Sequence, residues 1–382
     1  MLNFINRFRR VDGSASTFSF SRSLVVLQSD DWGRIGIRDR GGYEELQASG
    51  IQLGEHPYDS YSLETSDDVL AVKDVLKRHR DCTGRSACMV MNFVVANVDF
   101  SQSALSGFRR IHLKYLYEGL PGKWLRPGLF EAYRDGIADG VFYPALHGLT
   151  HFCHRAVERS LRCADERGQL LQKLWRAETP YIYWRMPWVG YEYCNPGGGF
   201  LRKNVQAALI CEAAEAFKKV FFTSAVSACA PGYRSNADTH RSWAECGIRV
   251  AQNGSGARIA PPHLDEWGLL NLYRTVDFEP AQRAVSVKAC VQRAERCFER
   301  GLPAVVSIHS INFHSTLKDF RGPTLRALDQ FLSALEAKHP DLLYVNDGDL
   351  YEIVDSGRLN GSRAPVSVTV RGKTKAMNQR AS

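Results

Sequence analysis

The stretch "LVVLQSDDWG", Leu24 to Gly33, is an apolar run that stops abruptly at two adjacent carboxylates, Asp30 and Asp31. A short Leu/Val run of this kind reads as a strand buried on both faces. Two neighbouring carboxylates at its end repel each other, and each resists leaving water unless a cation or a set of donors stands against it. Such an ending calls for matching chemistry at the ends of other strands.

Working outward, strand-like and helix-like segments alternate. "ACMVMNFVVAN", "VFYPALHG", "FFTSAV", "IRVAQN", "LLNLYRT", "PAVVSIHS" and "LLYVND" read as extended. Between them, "DDVLAVKDVLKRH", "VQAALICEAAEAFKKV" and "TLRALDQFLSALEAKH" carry apolar residues at helical spacing. "GLFEAYRDGIADG" and "SVKACVQRAERCFERG" end in the cap glycines Gly140 and Gly301. "HRAVERSLRCADERGQLLQKLWRAE" reads as one long helix with a break at Gly168. This alternation predicts an α/β fold with a mainly parallel sheet, and about seven such units suit a barrel. Periodicity alone does not separate a closed barrel from an open doubly wound sheet.

The chain has 382 residues, 44% hydrophobic and 24% charged, which is ordinary for a globular protein. No apolar run is long enough to span a membrane, and no signal segment is read at the start, so a cytoplasmic protein without a transmembrane segment is expected. Ten scattered cysteines with no CxxC pair read as free thiols. The net charge is +8, but six basic residues and no acidic one follow Asp355, leaving +2 for the rest. Three parts are expected: an N-terminal extension (1–20), a barrel domain (21–355) and a basic, flexible tail (356–382). The tail lacks a dense basic run and aromatics for stacking, so no nucleic-acid partner is expected.

Candidate functional residues collect at three further strand ends. In "YPALHGLTH", His147 and His151 stand four apart, a spacing that on a helical turn would aim two imidazoles at one ion. His309 ends "PAVVSIH", with His314 as its rival. Arg185 lies among aromatics in "YIYWRMPWVG", placed to hold a carboxylate. One Asp and two His with open positions suit a divalent metal, a second Asp beside them suits a general base, and a distant His suits a general acid.

These four motifs, "SDDWG", "HGLTH", "WRMP" and "SIH", resemble in kind and order those of the polysaccharide deacetylase superfamily (NodB homology, carbohydrate esterase 4-like). The resemblance is nearest to its diverged members in bacterial surface-polysaccharide clusters. It implies a distorted (β/α) barrel. It also implies Asp30 as catalytic base, Asp31, His147 and His151 as metal ligands, Arg185 orienting Asp30, and His309 as acid. The chain departs from the pattern at Trp32, which separates Asp31 from Gly33, and at Gly148, where Ser or Thr is usual. It has no clear D-x-x-D-W motif, and Asp277 is the candidate partner for His309.

The function expected is a metal-dependent hydrolase, Zn²⁺ being the expected metal, that removes acetyl groups from N-acetylated or O-acetylated sugars, oligosaccharides or polysaccharides. Trp32, Trp184 and Trp188 would form a platform for a sugar ring, and Asn92 would line the pocket. The alternatives are a non-catalytic glycan-binding relative in a polysaccharide-assembly complex, and an Fe(II)-dependent enzyme using the same Asp/His/His set.

Overall fold

In the computed structural model, which describes residues 16–371 apart from 164, 256–258, 357–358 and 360–364, the opening stretch forms the central strand. It follows β1 (Thr17–Phe20) and is β2 (Leu24–Trp32), with all nine residues buried. Next come β3 (Met89–Phe93), a small antiparallel pair of β4 (Ala96–Val98) and β5 (Leu113–Tyr115), and β6 (Phe142–Leu146). Then follow β7 (Ser227–Cys229), β8 (Val250–Asn253), β9 (His263–Leu264), β10 (Leu270–Tyr273), β11 (Val276–Asp277) and β12 (Ala304–His309). The last strands are β13 (Leu343–Tyr344) and β14 (Val368–Arg371).

The parallel order is β12, β2, β3, β6, β7, β8, β10. Two residues after β10 ends, β11 pairs in parallel with β12, the strand at the opposite edge of that run. One segment, 270–277, therefore pairs with β8 through its first half and with β12 through its second, and closes seven strand positions into a barrel. Arg274 and Thr275 make the crossing: the Arg274 amide donates to Asn253 and the Thr275 amide to Val305. The barrel is distorted because the free edge of β10 is taken by antiparallel β9, which leads on to β1 and β14.

Alternation along β2 sorts side chains into layers. Leu24 and Val26 join Val90, Val250, Leu270, Leu272 and Val305 in an apolar cluster, sealed by Val345, Leu350 and Ile353. Above it, Gln28 meets Asp347 and Arg274, and above that Asp30 meets Arg274 and Asn92. The intervening residues, Val25 and Leu27, face outward into the larger core under the helices. Among these helices, Ser66–Arg78 begins with a reciprocal cap between Thr65 and Asp68, and Leu129–Ala138 precedes Gly140 at φ 72°. No helix among the described residues is long and apolar enough to cross a membrane.

Two local expectations are corrected. The long helix is two, His154–Arg162 and Glu166–Arg176, and the break comes before Gly168, at Asp165, which caps the second helix by accepting from the Gly168 amide. Gly168 is instead a point of close packing, because a Cβ there would lie 2.2 Å from the Cys163 carbonyl oxygen. The stretch after Asp355 is not wholly a loose tail either: β14 pairs with β1 over four residues, and Leu359 and Val366 are buried in the sealing cluster. Arg358, Arg363, Lys373, Lys375 and Arg380 lie outside the described residues, as do residues 1–15.

Candidate metal centre

At the end of β2 the strand register with β3 shifts between Ser29 and Trp32, and Asp31 adopts φ 75°. Successive strand residues ordinarily face opposite sides. The left-handed turn at Asp31, a conformation Asp tolerates better than most residues, keeps both carboxylates on the barrel's open end. It also sends Trp32 into the core, fully buried and stacked on Phe313 with centroids 5.8 Å apart. Trp32 is therefore not a sugar platform.

His147 directly follows β6, and its amide donates to the Phe93 carbonyl at 2.8 Å. The residues from His147 to His151 form no helical turn, so the i, i+4 argument for the pair does not hold. A loop brings them together instead. It is wrapped around the buried Glu192 carboxylate, which accepts from the amides of Leu149, Thr150 and His151 at 2.8–3.0 Å. Gly148 at φ 78° and His151 at φ 75° make the bends, and a Cβ on residue 148 would lie 2.6 Å from Glu192 Oε2. This contact accounts for glycine at position 148.

Three lone pairs converge on one point. Asp31 Oδ1 lies 3.5 Å from His147 Nε2 and 3.3 Å from His151 Nε2. Ligands held about 2.0–2.1 Å from a tetrahedral metal are separated by roughly 3.3 Å. The other nitrogen of each imidazole is engaged: His147 Nδ1 donates to the Cys229 carbonyl at 2.9 Å, and His151 Nδ1 lies 2.8 Å from Tyr181 Oη. Burial pushes the His151 imidazole well below its ordinary pKa, which favours the neutral form a metal ligand needs. Asp31 Oδ2 pairs with Arg34 Nη2 at 3.1 Å, while Oδ1 is buried with no hydrogen-bond partner. A buried carboxylate oxygen left bare between two imidazole nitrogens fits a divalent cation. These donors suit zinc or a neighbouring transition metal and do not choose among them.

Asp30 has a different environment. Its Oδ1 accepts from Arg274 Nη2 (2.5 Å) and Asn92 Nδ2 (2.7 Å), and its Oδ2 from Arg274 Nη1 (2.9 Å) and Tyr233 Oη (3.1 Å). A carboxylate has about four acceptor positions, so Asp30 is filled by strong donors. Burial alone would raise its pKa, but the Arg274 guanidinium, helped by His147 and His309, holds it far below the usual carboxylate range. The possible grouping of Asp30, His147 and Cys229 is therefore a poor cation site.

The arginine that meets Asp30 is Arg274, not Arg185. Arg185 instead grips Asp59, with both nitrogen–oxygen contacts at 2.9 Å. Asn92, fully buried, supports Asp30 from below.

His309, paired in register with Asp30, places Nε2 3.8 Å from Asp30 Oδ2. Its Nδ1 contacts Glu279 Oε1 at 2.6 Å, and Glu279 also accepts from Asn312. The partner is thus Glu279; Asp277 pairs with Arg283 near the surface. Burial would lower the His309 pKa, but Glu279, followed by Asp30 and Asp31, outweighs it and pushes the group up to about 9. The His309 side chain is 24% exposed, against 2–7% for those of Asp30, Asp31, His147 and His151. Its rival His314 is buried against Tyr61 and Glu64.

An aromatic cover closes the centre. Tyr183 and Tyr191 stand edge-on to the His151 ring at 6.1 and 6.2 Å, and Tyr58 bridges from Tyr61 to Tyr183. Beside the ligands, Arg34, Tyr58, Tyr61, Tyr181 and Tyr183 line a separate small cavity of about 10 Å³. Asp59 clasps the two covering segments: it accepts from the amides of Gly54, Glu55 and His56 on one and from Trp184 Nε1 and Arg185 on the other. Trp184 and Trp188 are part-exposed on this rim, each under an arginine, Arg185 at 4.2 Å and Arg167 at 5.7 Å.

Sequence reading missed Arg274, Glu279, Glu192 and Arg34. Arg274 stands at the end of "LLNLYRT", a segment already read as a strand, and Glu279 stands two residues past Asp277. No local signal marks Glu192 as the post around which the histidine loop winds.

Solved structures similar to this chain include a candidate polysaccharide deacetylase from Mycobacterium smegmatis, with 13% identity, 92% of this chain and 95% of that chain covered, and a TM-score of 0.44. A family 4 carbohydrate esterase from Streptomyces lividans in complex with acetate is 14% identical, with 84% and 90% covered and a TM-score of 0.35. A CE4 family pseudoenzyme from Bacillus anthracis is 10% identical, with 87% and 66% covered and a TM-score of 0.38. No family model and no curated protein matches the sequence.

Proposed function

We propose that this chain is a metal-dependent hydrolase that removes an acetyl group from an N-acetylated, or O-acetylated, sugar. The observation that carries the reading is the bare Oδ1 of Asp31 between two imidazole Nε2 atoms, with His309 braced by Glu279 at the rim of the same site. Asp31, His147 and His151 would hold the cation. When bound, such an ion polarises an acyl oxygen and makes a water more acidic. The water oxygen bonds to the acyl carbon as the water gives up a proton, and His309, with Nδ1 braced by Glu279, gives its Nε2 proton to the departing sugar nitrogen, or oxygen for an O-acetyl group, as the old acyl bond breaks and acetate leaves.

For Asp30 to take a proton, Tyr233 has to release Oδ2, the oxygen facing His309. That places Tyr233 on the proton path. Otherwise Asp30 serves as the fixed anion that keeps His309 charged. Its filled acceptor positions also favour a second reading, glycan binding without turnover.

The test is acetate release from a panel of N-acetylhexosamines and their oligomers by protein loaded with Zn²⁺, Co²⁺ or Fe²⁺, with Asp31→Ala as control. Release that depends on metal and is lost in the control supports the hydrolase. Sugar binding without release under every metal replaces it with the second reading.

A further inference from the structure

We infer that Asp347, one layer below the metal centre, is a positioning residue that fixes the geometry of Asp30 through two glutamine amides. The inference rests on the reading of Asp30 and His309 as the groups that handle the proton.

Asp347 is fully buried at the start of the helix Asp347–Ser356. Its Oδ1 accepts from Gln28 Nε2 at 2.8 Å, and its Oδ2 accepts from Gln252 Nε2 at 2.7 Å and Ser227 Oγ at 2.5 Å. A carboxylate can only accept, so both amides must turn their NH₂ groups down to it. Their carbonyl oxygens are thereby turned up to Arg274, whose Nε donates to Gln28 Oε1 and whose Nη2 donates to Gln252 Oε1, each at 3.2 Å. Either amide flipped would set NH₂ against guanidinium N–H, donor against donor.

Gln252 also fixes Asn92. It donates to Asn92 Oδ1 and accepts from Asn92 Nδ2, both at 2.8 Å, which leaves that Nδ2 aimed at Asp30. Three of the four strong donors on Asp30, two from Arg274 and one from Asn92, thus take their direction from a single acceptor supplied by the last helix.

The test compares Asp347→Asn with Gln28→Met, which keeps the volume of Gln28 but removes the carbonyl beneath Arg274. With metal content equal to wild type, kcat for acetate release should fall roughly tenfold to hundredfold, the scale of a small misplacement of a reacting group, with KM changed less than about twofold. A purely structural role would lower Tm and leave kcat per folded molecule unchanged, and that result overturns the inference. If Asp347→Asn does not fold, Gln28→Met carries the kinetic comparison alone. Crystal structures of the variants give a readout free of turnover: Arg274 should lose its two-point contact with Asp30, and an unchanged contact in both refutes the inference. If wild type releases no acetate, the hydrolase reading falls, and these structures still decide the role of Asp347.

Discussion

Asp30 and Asp31 are neighbours in sequence but have opposite needs. Asp31 has an oxygen without a partner, whereas Asp30 has no acceptor position to spare. Asp31→Asn should weaken metal affinity, with activity partly recovered by excess metal, because a neutral amide is a poorer ligand than a carboxylate. Asp30→Asn should keep its metal but strand Arg274 as a buried unpaired cation, at a cost of about 3–5 kcal/mol in unfolding free energy. Its turnover per folded molecule should fall by roughly 10²–10⁴-fold without rescue by metal. Metal analysis, denaturant melts and acetate assays on the two variants check both outcomes. His309 supplies the pH dependence. Its pKa is raised from 6.5 to about 9 in the metal-free site and comes down when a cation sits beside Asp31, so activity of the loaded enzyme should persist at neutrality and fall at alkaline pH, and His309→Ala should abolish it at every pH. By linkage, the stability this group contributes is complete below pH 6.5 and is lost as pH rises through 9, which melts across that range would register. The titrating residues were legible from sequence because a polar group that ends an apolar strand is conspicuous. Their partners were not: Arg185 and Arg274 are equally plausible as text, and only barrel closure decides which one meets Asp30.

At the level of elements, strands and amphipathic helices were readable from period and caps. The loop carrying the histidines was misread, because its shape depends on Glu192, a residue 41 positions from His151. Gly148→Ala should therefore be damaging. It combines a left-handed backbone costing about 1–2 kcal/mol with a Cβ driven into Glu192, and should release metal before it unfolds the chain. Metal titration of the variant beside its melting curve tests that order. The C-terminal stretch was misjudged for a similar reason. "VSVTV" is short and mostly polar, and it becomes a strand only because β1 offers an edge 350 residues away. Truncation after Asp355 removes β14 with buried Leu359 and Val366. It should cost roughly 3–6 kcal/mol at about 1.5–3 kcal/mol per buried side chain, visible as a lower Tm.

Across the whole molecule, the barrel stacks an apolar floor, a layer of amides and a charged mouth, and every second residue of β2 (Leu24, Val26, Gln28, Asp30) reports its layer in order. That gradient was visible in sequence, as was the need for about seven strands. The closure through 270–277 was not, since one segment serving two strands reads as two unrelated pieces. The clasp of Asp59 on Trp184 and Arg185 joins the covering segments whose Tyr183 stands against the His151 ring. Arg185→Ala should loosen this cover without touching Asp30, so that a chelator strips bound metal at least several-fold faster than from wild type in stopped-flow mixing; equal rates would exclude such a gate. A gate of this kind slows passage inward as well as outward. The ion found in purified protein would then record which metal was abundant while the chain was folding, a kinetic memory of its synthesis, rather than which metal the three ligands hold most tightly at equilibrium.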